Sequence, residues 1–253
     1  MRNFLSKKEA DELGDALVQQ YIGNHKEFPL FVDIDGFTTG FLRCQVLYET
    51  FAEDDMDKIG FSSDGITPLS VHREGKTVQV VFPRNTIVLE KRLLGPSEQF
   101  RRRFTLAHEA GHMIAAKIDP EQTTGFQRVY DGERLYTAEE LRARFAIGEW
   151  QANTMAASLL MPTFLMKSLL QKYNNGQNIL VYGNSVFAPR EKSILQKMSD
   201  TLGVSLLGLD SDTFYIYHVA AVMVDNLRRL LLGINLSDKA IMDFDFPGVG
   251  FPV

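Results

Sequence analysis

The sequence predicts an α+β fold: a small mixed sheet flanked by two helices that carry the chemistry, with a mainly helical C-terminal part. Three observations carry this. Apolar residues recur at helical spacing between residues 5 and 21, strand-forming runs broken by Gly and Pro fill residues 44–90, and helical patterning dominates from residue 97 onward. The 253 residues are 45% apolar, enough for one substantial core or two modest ones.

The elements follow in order. Ser6 is placed to cap a first helix to about Tyr21, with Glu9 completing a capping box, Leu5, Ala10, Leu13, Leu17 and Tyr21 as its apolar stripe, and Gly23 as its stop. A short helix from Asp33 to about Leu42 precedes a strand over Cys44–Phe51 and an acidic loop over Glu53–Asp57. Strands are expected at Ile59–Phe61, Gly65–Leu69, Val78–Phe82 and Thr86–Leu89, forming a mostly antiparallel sheet. A helix capped by Ser97 runs to about Lys117, with Phe100, Phe104, Ala107, Gly111 and Ile114 on one face. Gly125–Tyr136 reads as an irregular insertion. Thr137 then caps a long helix to about Leu160, which Met161-Pro162 ends because the residue before proline leaves helical geometry. The next helix fades at Asn174-Asn175-Gly176, which divides the chain into residues 1–174 and a mainly helical part, 175–253. In that part a short strand near Ile179–Tyr182 and helices over Pro189–Leu202 and Asp212–Leu232 are expected, followed by an apolar tail, Phe244–Val253.

Bulk properties exclude several classes. The net charge of −5 argues against a nucleic-acid partner, whose binder would be basic. Cys44 is the only cysteine, so the chain forms neither an internal disulfide nor a thiolate metal site, which fits the cytoplasm. No apolar run approaches the roughly 20 residues that span a bilayer, and the charged N-terminus does not resemble a secretion signal.

The decisive string is Phe104-Thr-Leu-Ala-His-Glu-Ala-Gly-His112, an H-E-x-x-H on a helical segment. Residues four apart on a helix differ by about 40° in azimuth, so His108 and His112 share a face and are able to grip one cation. Two neutral imidazoles suit Zn²⁺, and Glu109 is placed to take a proton from water that the metal activates. Two histidines need a third ligand. Glu149 lies 37 positions after His112 on the second long helix, and Asn153, four residues on, shares its face and is able to accept the outer N–H of a ligating histidine. The small Ala152 between them permits close approach of the two helices.

These two strings, the second continuing Glu149-Trp-Gln-Ala-Asn-Thr-Met-Ala-Ala-Ser-Leu-Leu-Met-Pro162, resemble the motifs of the ImmA/IrrE-type zinc metallo-endopeptidases, whose third ligand is a glutamate. The resemblance is strong from Phe100 to Pro162 and looser before it. It implies a zincin-like peptidase core over residues 1–174, with His108, His112 and Glu149 as zinc ligands, Glu109 as general base, and a bacterial or phage repressor-like protein as substrate. Met155 stands where the family usually has Phe, a core exchange, and the stretch from Asp119 to Ala146 is longer than usual.

Further residues are candidates for roles at the same site. Tyr130, Tyr136, Arg128 and His218 are candidate oxyanion donors, each more simply read as surface or core, and His25 and His72 are ordinary histidines. Arg101-Arg102-Arg103 reads as a solvated helix face paired with the acidic loop. Two rival functions remain: a zinc-binding, non-proteolytic regulatory or toxin-like module, and a DNA-binding regulator acting through residues 188–232. Thr201-Leu-Gly-Val-Ser205 resembles the turn of a helix-turn-helix, yet the following Leu206–Asp212 is apolar and then acidic, unsuited to reading bases.

Overall fold

A computed structural model describes residues 5–23, 29–52, 58–118, 138–179, 181–182 and 186–205. The acidic loop, the 125–136 insertion, the Thr137 cap, His25, His218, Tyr130, Tyr136 and Arg128, the segment after Ser205 with its expected helix, and the C-terminal tail lie outside the described residues.

Helix α1 (Lys7–Ile22) begins with the expected capping box: the Ser6 hydroxyl accepts from the Glu9 N–H, and the Glu9 carboxylate accepts from the Ser6 N–H at 2.7 Å. Its most buried face is Ala10, Gly14, Val18 and Ile22, with Leu13, Leu17 and Tyr21 flanking it. The stripe therefore centres one position beyond the expected one. A Cβ on Gly14 would stand 2.6 Å from the Ser158 Cβ, so glycine there lets α1 press against a later helix. Asp33 caps α2 (Ile34–Gly36), which widens into a π turn at Phe37–Phe41. Phe37, Phe41 and Tyr21 pack as a ring cluster over that turn.

The sheet is mixed and has the order β1 (Gln45–Glu49), β5 (Thr86–Glu90), β2 (Gly60–Ser62). β1 and β5 are parallel, whereas β2 runs antiparallel to β5. The strands of residues 59–90 thus pair antiparallel as expected, though divided between two sheets, and the parallel partner of β5 is the earlier β1, a direction that apolar alternation does not mark. β3 (Pro68–Arg73) and β4 (Lys76–Val81) form a separate hairpin strapped to the end of β1, with the Ala52 N–H donating to the Ser70 carbonyl and the His72 N–H to that of Thr50. The strand expected at 65–69 starts instead at Pro68, since Asp64 Oδ1 accepts from the N–H groups of Ile66 and Thr67 and folds 64–67 into a turn. On β5, Ile87 and Leu89 enter the main core while Val88 enters a second cluster with Phe61, Leu69, Val71 and Phe82 beneath the hairpin.

Against the main-core face lies α3 (Gln99–Ile118). Ser97 is not its cap but part of a 3-10 turn, Pro96–Glu98, that follows Gly95. Phe100 is 42% exposed rather than core, whereas from Arg103 to Ile114 the helix is buried almost all round. α4 (Ala138–Leu160) packs along α3, and α5 (Thr163–Asn174) follows the Met161-Pro162 break, its first N–H donating to Asp15 Oδ1 on α1 at 2.6 Å. Asn175 takes the left-handed conformation that closes α5. A two-residue ribbon, β6 (Val181–Tyr182) with β7 (Val186–Phe187), leads into α6 (Pro189–Leu202), whose Ile194, Leu195, Met198 and Leu202 join the same core.

Two of the three consecutive arginines are not a solvated face. Arg102 makes a two-pronged ion pair with Asp35, at 2.7 and 3.0 Å, and donates to the Tyr48 hydroxyl. Arg103 is buried and donates to the carbonyls of Val32, Leu202 and Gly203. Only Arg101 remains near the surface, 3.8 Å from Glu98.

Candidate metal centre

The two imidazoles come from one face of α3, and the carboxylate from the facing turn of α4. What brings the helices this close is an absence of side chain. A Cβ on Gly111 would lie 2.9 Å from the Ala152 carbonyl oxygen and 3.2 Å from the Met155 Cβ. Met155, at the position where Phe is usual, is fully buried beside it.

His108 Nε2 stands 3.1 Å from His112 Nε2 and 3.3 Å from one oxygen of Glu149, and the other Glu149 oxygen is 3.4 Å from His112 Nε2. A tetrahedral zinc with ligand bonds near 2.0–2.1 Å requires its ligand atoms to lie about 3.3–3.4 Å apart. The His108–His112 separation is close to such an edge, each imidazole has one Glu149 oxygen at about that distance, and one ligand atom from each of the three residues lies within 4.8 Å of the others. Among the described residues no other group of His, Cys, Asp and Glu is so arranged.

Outer contacts support the same orientation. Asn153 Oδ1 lies 2.9 Å from His108 Nδ1. A carboxamide oxygen only accepts, so Nδ1 carries a hydrogen and Nε2 is the nitrogen turned to the cluster. Burial pushes the His108 imidazole toward the neutral form, but the Glu149 hydrogen bond, the Glu109 and Glu149 charges and Asn153 outweigh it and raise the pKa. Glu149 is held well below the usual carboxylate range: burial opposes this, and the hydrogen bonds from His108 and His112 overcome it. Glu149 keeps 57% of its side-chain surface exposed, so the cluster opens to solvent on that side. Two imidazole nitrogens and a carboxylate facing one another are a donor set that fits a divalent cation.

Glu109 is buried, and the Ser62 hydroxyl donates to its Oε2 at 2.6 Å. Gly60, two residues earlier on the same strand, leaves the room that Glu109 Oε1 fills, since a Cβ there would overlap that oxygen. All five residues expected at the site, His108, Glu109, His112, Glu149 and Asn153, are thus brought to one locality. Sequence reasoning missed Ser62 and Gly60. Serine in a strand carries no motif, but a glycine inside a strand marks close approach of another group and was the available signal. His72 is remote in role, bonding Thr77 on the exposed hairpin.

Gly203 ends α6 in the left-handed conformation, and the segment that a helix-turn-helix would use to read bases lies outside the described residues. No described helix is long and apolar enough to cross a membrane. No curated protein and no solved structure shows a significant match to the chain. One family model does match, Peptidase_M78, the IrrE N-terminal-like domain, over residues 44–186, a span holding the three-stranded sheet, α3, α4 and all three residues of the cluster. With that match across more than half its length, and with the His108, His112 and Glu149 donors converging inside it, the chain belongs to the Peptidase_M78 family of metallopeptidases.

Proposed function

We propose that the chain is a zinc-dependent endopeptidase of the cytoplasm, acting on a protein substrate of the transcriptional-repressor class that the family resemblance suggests. The observation that carries the reading is the convergence of His108 Nε2, His112 Nε2 and the Glu149 carboxylate within 4.8 Å of one another, beside the buried Glu109. Zinc is favoured by the donor chemistry, two imidazoles and one carboxylate with no thiolate, a set that leaves one tetrahedral position open.

When bound, zinc supplies Lewis-acid chemistry, acidifying water and polarising the scissile carbonyl. The chain does the rest. Asn153 holds the His108 ring in the tautomer that presents Nε2. Glu109 takes the proton of the attacking water and passes it to the departing amine, so that peptide and water become a carboxylate and an amine. No described strand pairs with the outer side of β2, whose inner neighbour is β5, and that open edge beside Glu109 suits an extended peptide added as a further strand.

The test pairs wild type with Glu109→Gln. Both proteins are expected to contain one equivalent of zinc, and only wild type to generate new termini, read by mass spectrometry, in a candidate repressor mixed with it. Equal cleavage by the variant would sink the role of Glu109, and protein purified without bound metal and unable to take up zinc would sink the site.

A further inference from the structure

We infer that Ser62 is a positioning residue for the general base, with Gly60 as the space it works in: one oxygen of Glu109 is tied down and the other is left to accept the proton. The inference rests on the reading of Glu109 as the base given above. Its geometry comes from strand register. Gly60 pairs with Leu89 and Ser62 with Ile87, so both face the same side as those core residues, toward α3, while Phe61 between them turns to the hairpin cluster. Alternation along β2 therefore delivers two consecutive inward positions to Glu109, 47 residues away from Ser62 in sequence.

The Ser62 hydroxyl has a single proton and two oxygens in range, Glu109 Oε2 at 2.6 Å and the Glu109 carbonyl at 3.2 Å. The carboxylate is the nearer and the charged one, so it receives the bond. Among the described residues Ser62 is the one hydrogen-bond donor to this carboxylate. A glutamate has three side-chain torsions, and a buried one without an anchor would divide itself among rotamers; the hydroxyl selects one of them in advance of substrate. Gly60 acts on the other oxygen. A Cβ there would stand 2.9 Å from both Cγ and Cδ of Glu109 and overlap Oε1, so the carboxylate would have to leave its place.

The full chain, loaded with zinc, tests this with acetohydroxamic acid as probe, because that acid must yield a proton to bind a metal as an anion and so reads the placement of Glu109 without any turnover. Zinc content is expected to stay at the wild-type level in Ser62→Ala, Ser62→Thr and Gly60→Ala. The hydroxamate Kd is expected to rise about tenfold in Ser62→Ala, the loss of one charge-assisted hydrogen bond, and to return toward wild type in Ser62→Thr, which keeps the hydroxyl. Gly60→Ala is expected to match or exceed the Ser62→Ala loss. On a cleaved substrate the Ser62→Ala loss falls on kcat with KM unchanged. If Glu109→Gln weakens the hydroxamate while Ser62→Ala does not, or if Ser62→Thr fails as fully as Ser62→Ala, the positioning role is overturned and the base stands. If Glu109→Gln itself leaves the Kd unchanged, or wild type with zinc bound does not take the probe, the reading of Glu109 as base is overturned and the inference with it.

Discussion

Asn153 shows how much of the cluster's arrangement is decided beyond the three side chains that converge. Its oxygen on His108 Nδ1 settles which nitrogen of that ring faces Glu149 and His112. Asn153→Ala is expected to lower zinc affinity roughly 10–100-fold while leaving the fold intact, measured by competition with a chromophoric chelator. Asn153→Asp, which retains the acceptor, is expected to lose much less. If alanine and wild type bind zinc equally, the tautomer of His108 is set by something else. Glu149 makes the complementary case. Its carboxylate spans both imidazoles, one oxygen 3.3 Å from His108 Nε2 and the other 3.4 Å from His112 Nε2.

Between helices, the governing quantity is backbone distance. Gly111 on α3 meets the Ala152 carbonyl on α4, and backbone does not swing aside as a side chain does. Gly111→Ala is therefore expected to part the helices, cost about 1–3 kcal/mol in urea unfolding, and weaken zinc binding because His108 and His112 withdraw from Glu149. A destabilised variant with wild-type zinc affinity would show that the ligands do not depend on this contact. The α1–α5 junction supports a pH prediction. Asp15 accepts from the first N–H of α5, and burial raises its pKa above 3.8, against the lowering effect of the Thr163 hydrogen bonds. A carboxyl whose folded pKa is raised contributes most below its unfolded pKa, and that contribution is lost as pH rises through the folded value. Asp15→Asn keeps an acceptor oxygen and removes the titration. It is expected to match wild type in acid and to gain relative stability as pH rises, whereas Asp15→Ala is expected to lose about 1 kcal/mol through the missing cap. Parallel urea melts at acid and neutral pH separate the two.

For the molecule as a body, the buried Arg103 is the tie that sequence patterning misassigned. It reaches from the peptidase helix α3 to the last carbonyls of α6 and to Val32, so that the segment after residue 186 is fastened to the helix that carries His108 and His112. A cation also suits the negative end of α6. Arg103→Met is expected to leave three buried carbonyls unanswered and to cost about 2–4 kcal/mol, with thermal unfolding as the measurement and faster amide exchange across 195–202 as the local sign. Arg103→Lys is expected not to rescue, because a single ammonium does not reproduce the guanidinium fork. Full stability in the lysine variant would mean that the charge alone matters there.

What the sequence determined by itself was local. The helix and its H-E-x-x-H spacing, the Glu149 and Asn153 pair, the Ser6 capping box and the proline break at 162 all depend on residues within a turn or two of one another, where periodicity and side-chain chemistry suffice. The tertiary structure alone decided the parallel pairing of β1 with β5, the burial of Arg103 and the delivery of Gly60 and Ser62 to Glu109. Each of those is a relation between segments distant in the chain. Alternation states which side of a strand is apolar and a run of arginines states only its charge, so the partner in each case follows from how the layers stack.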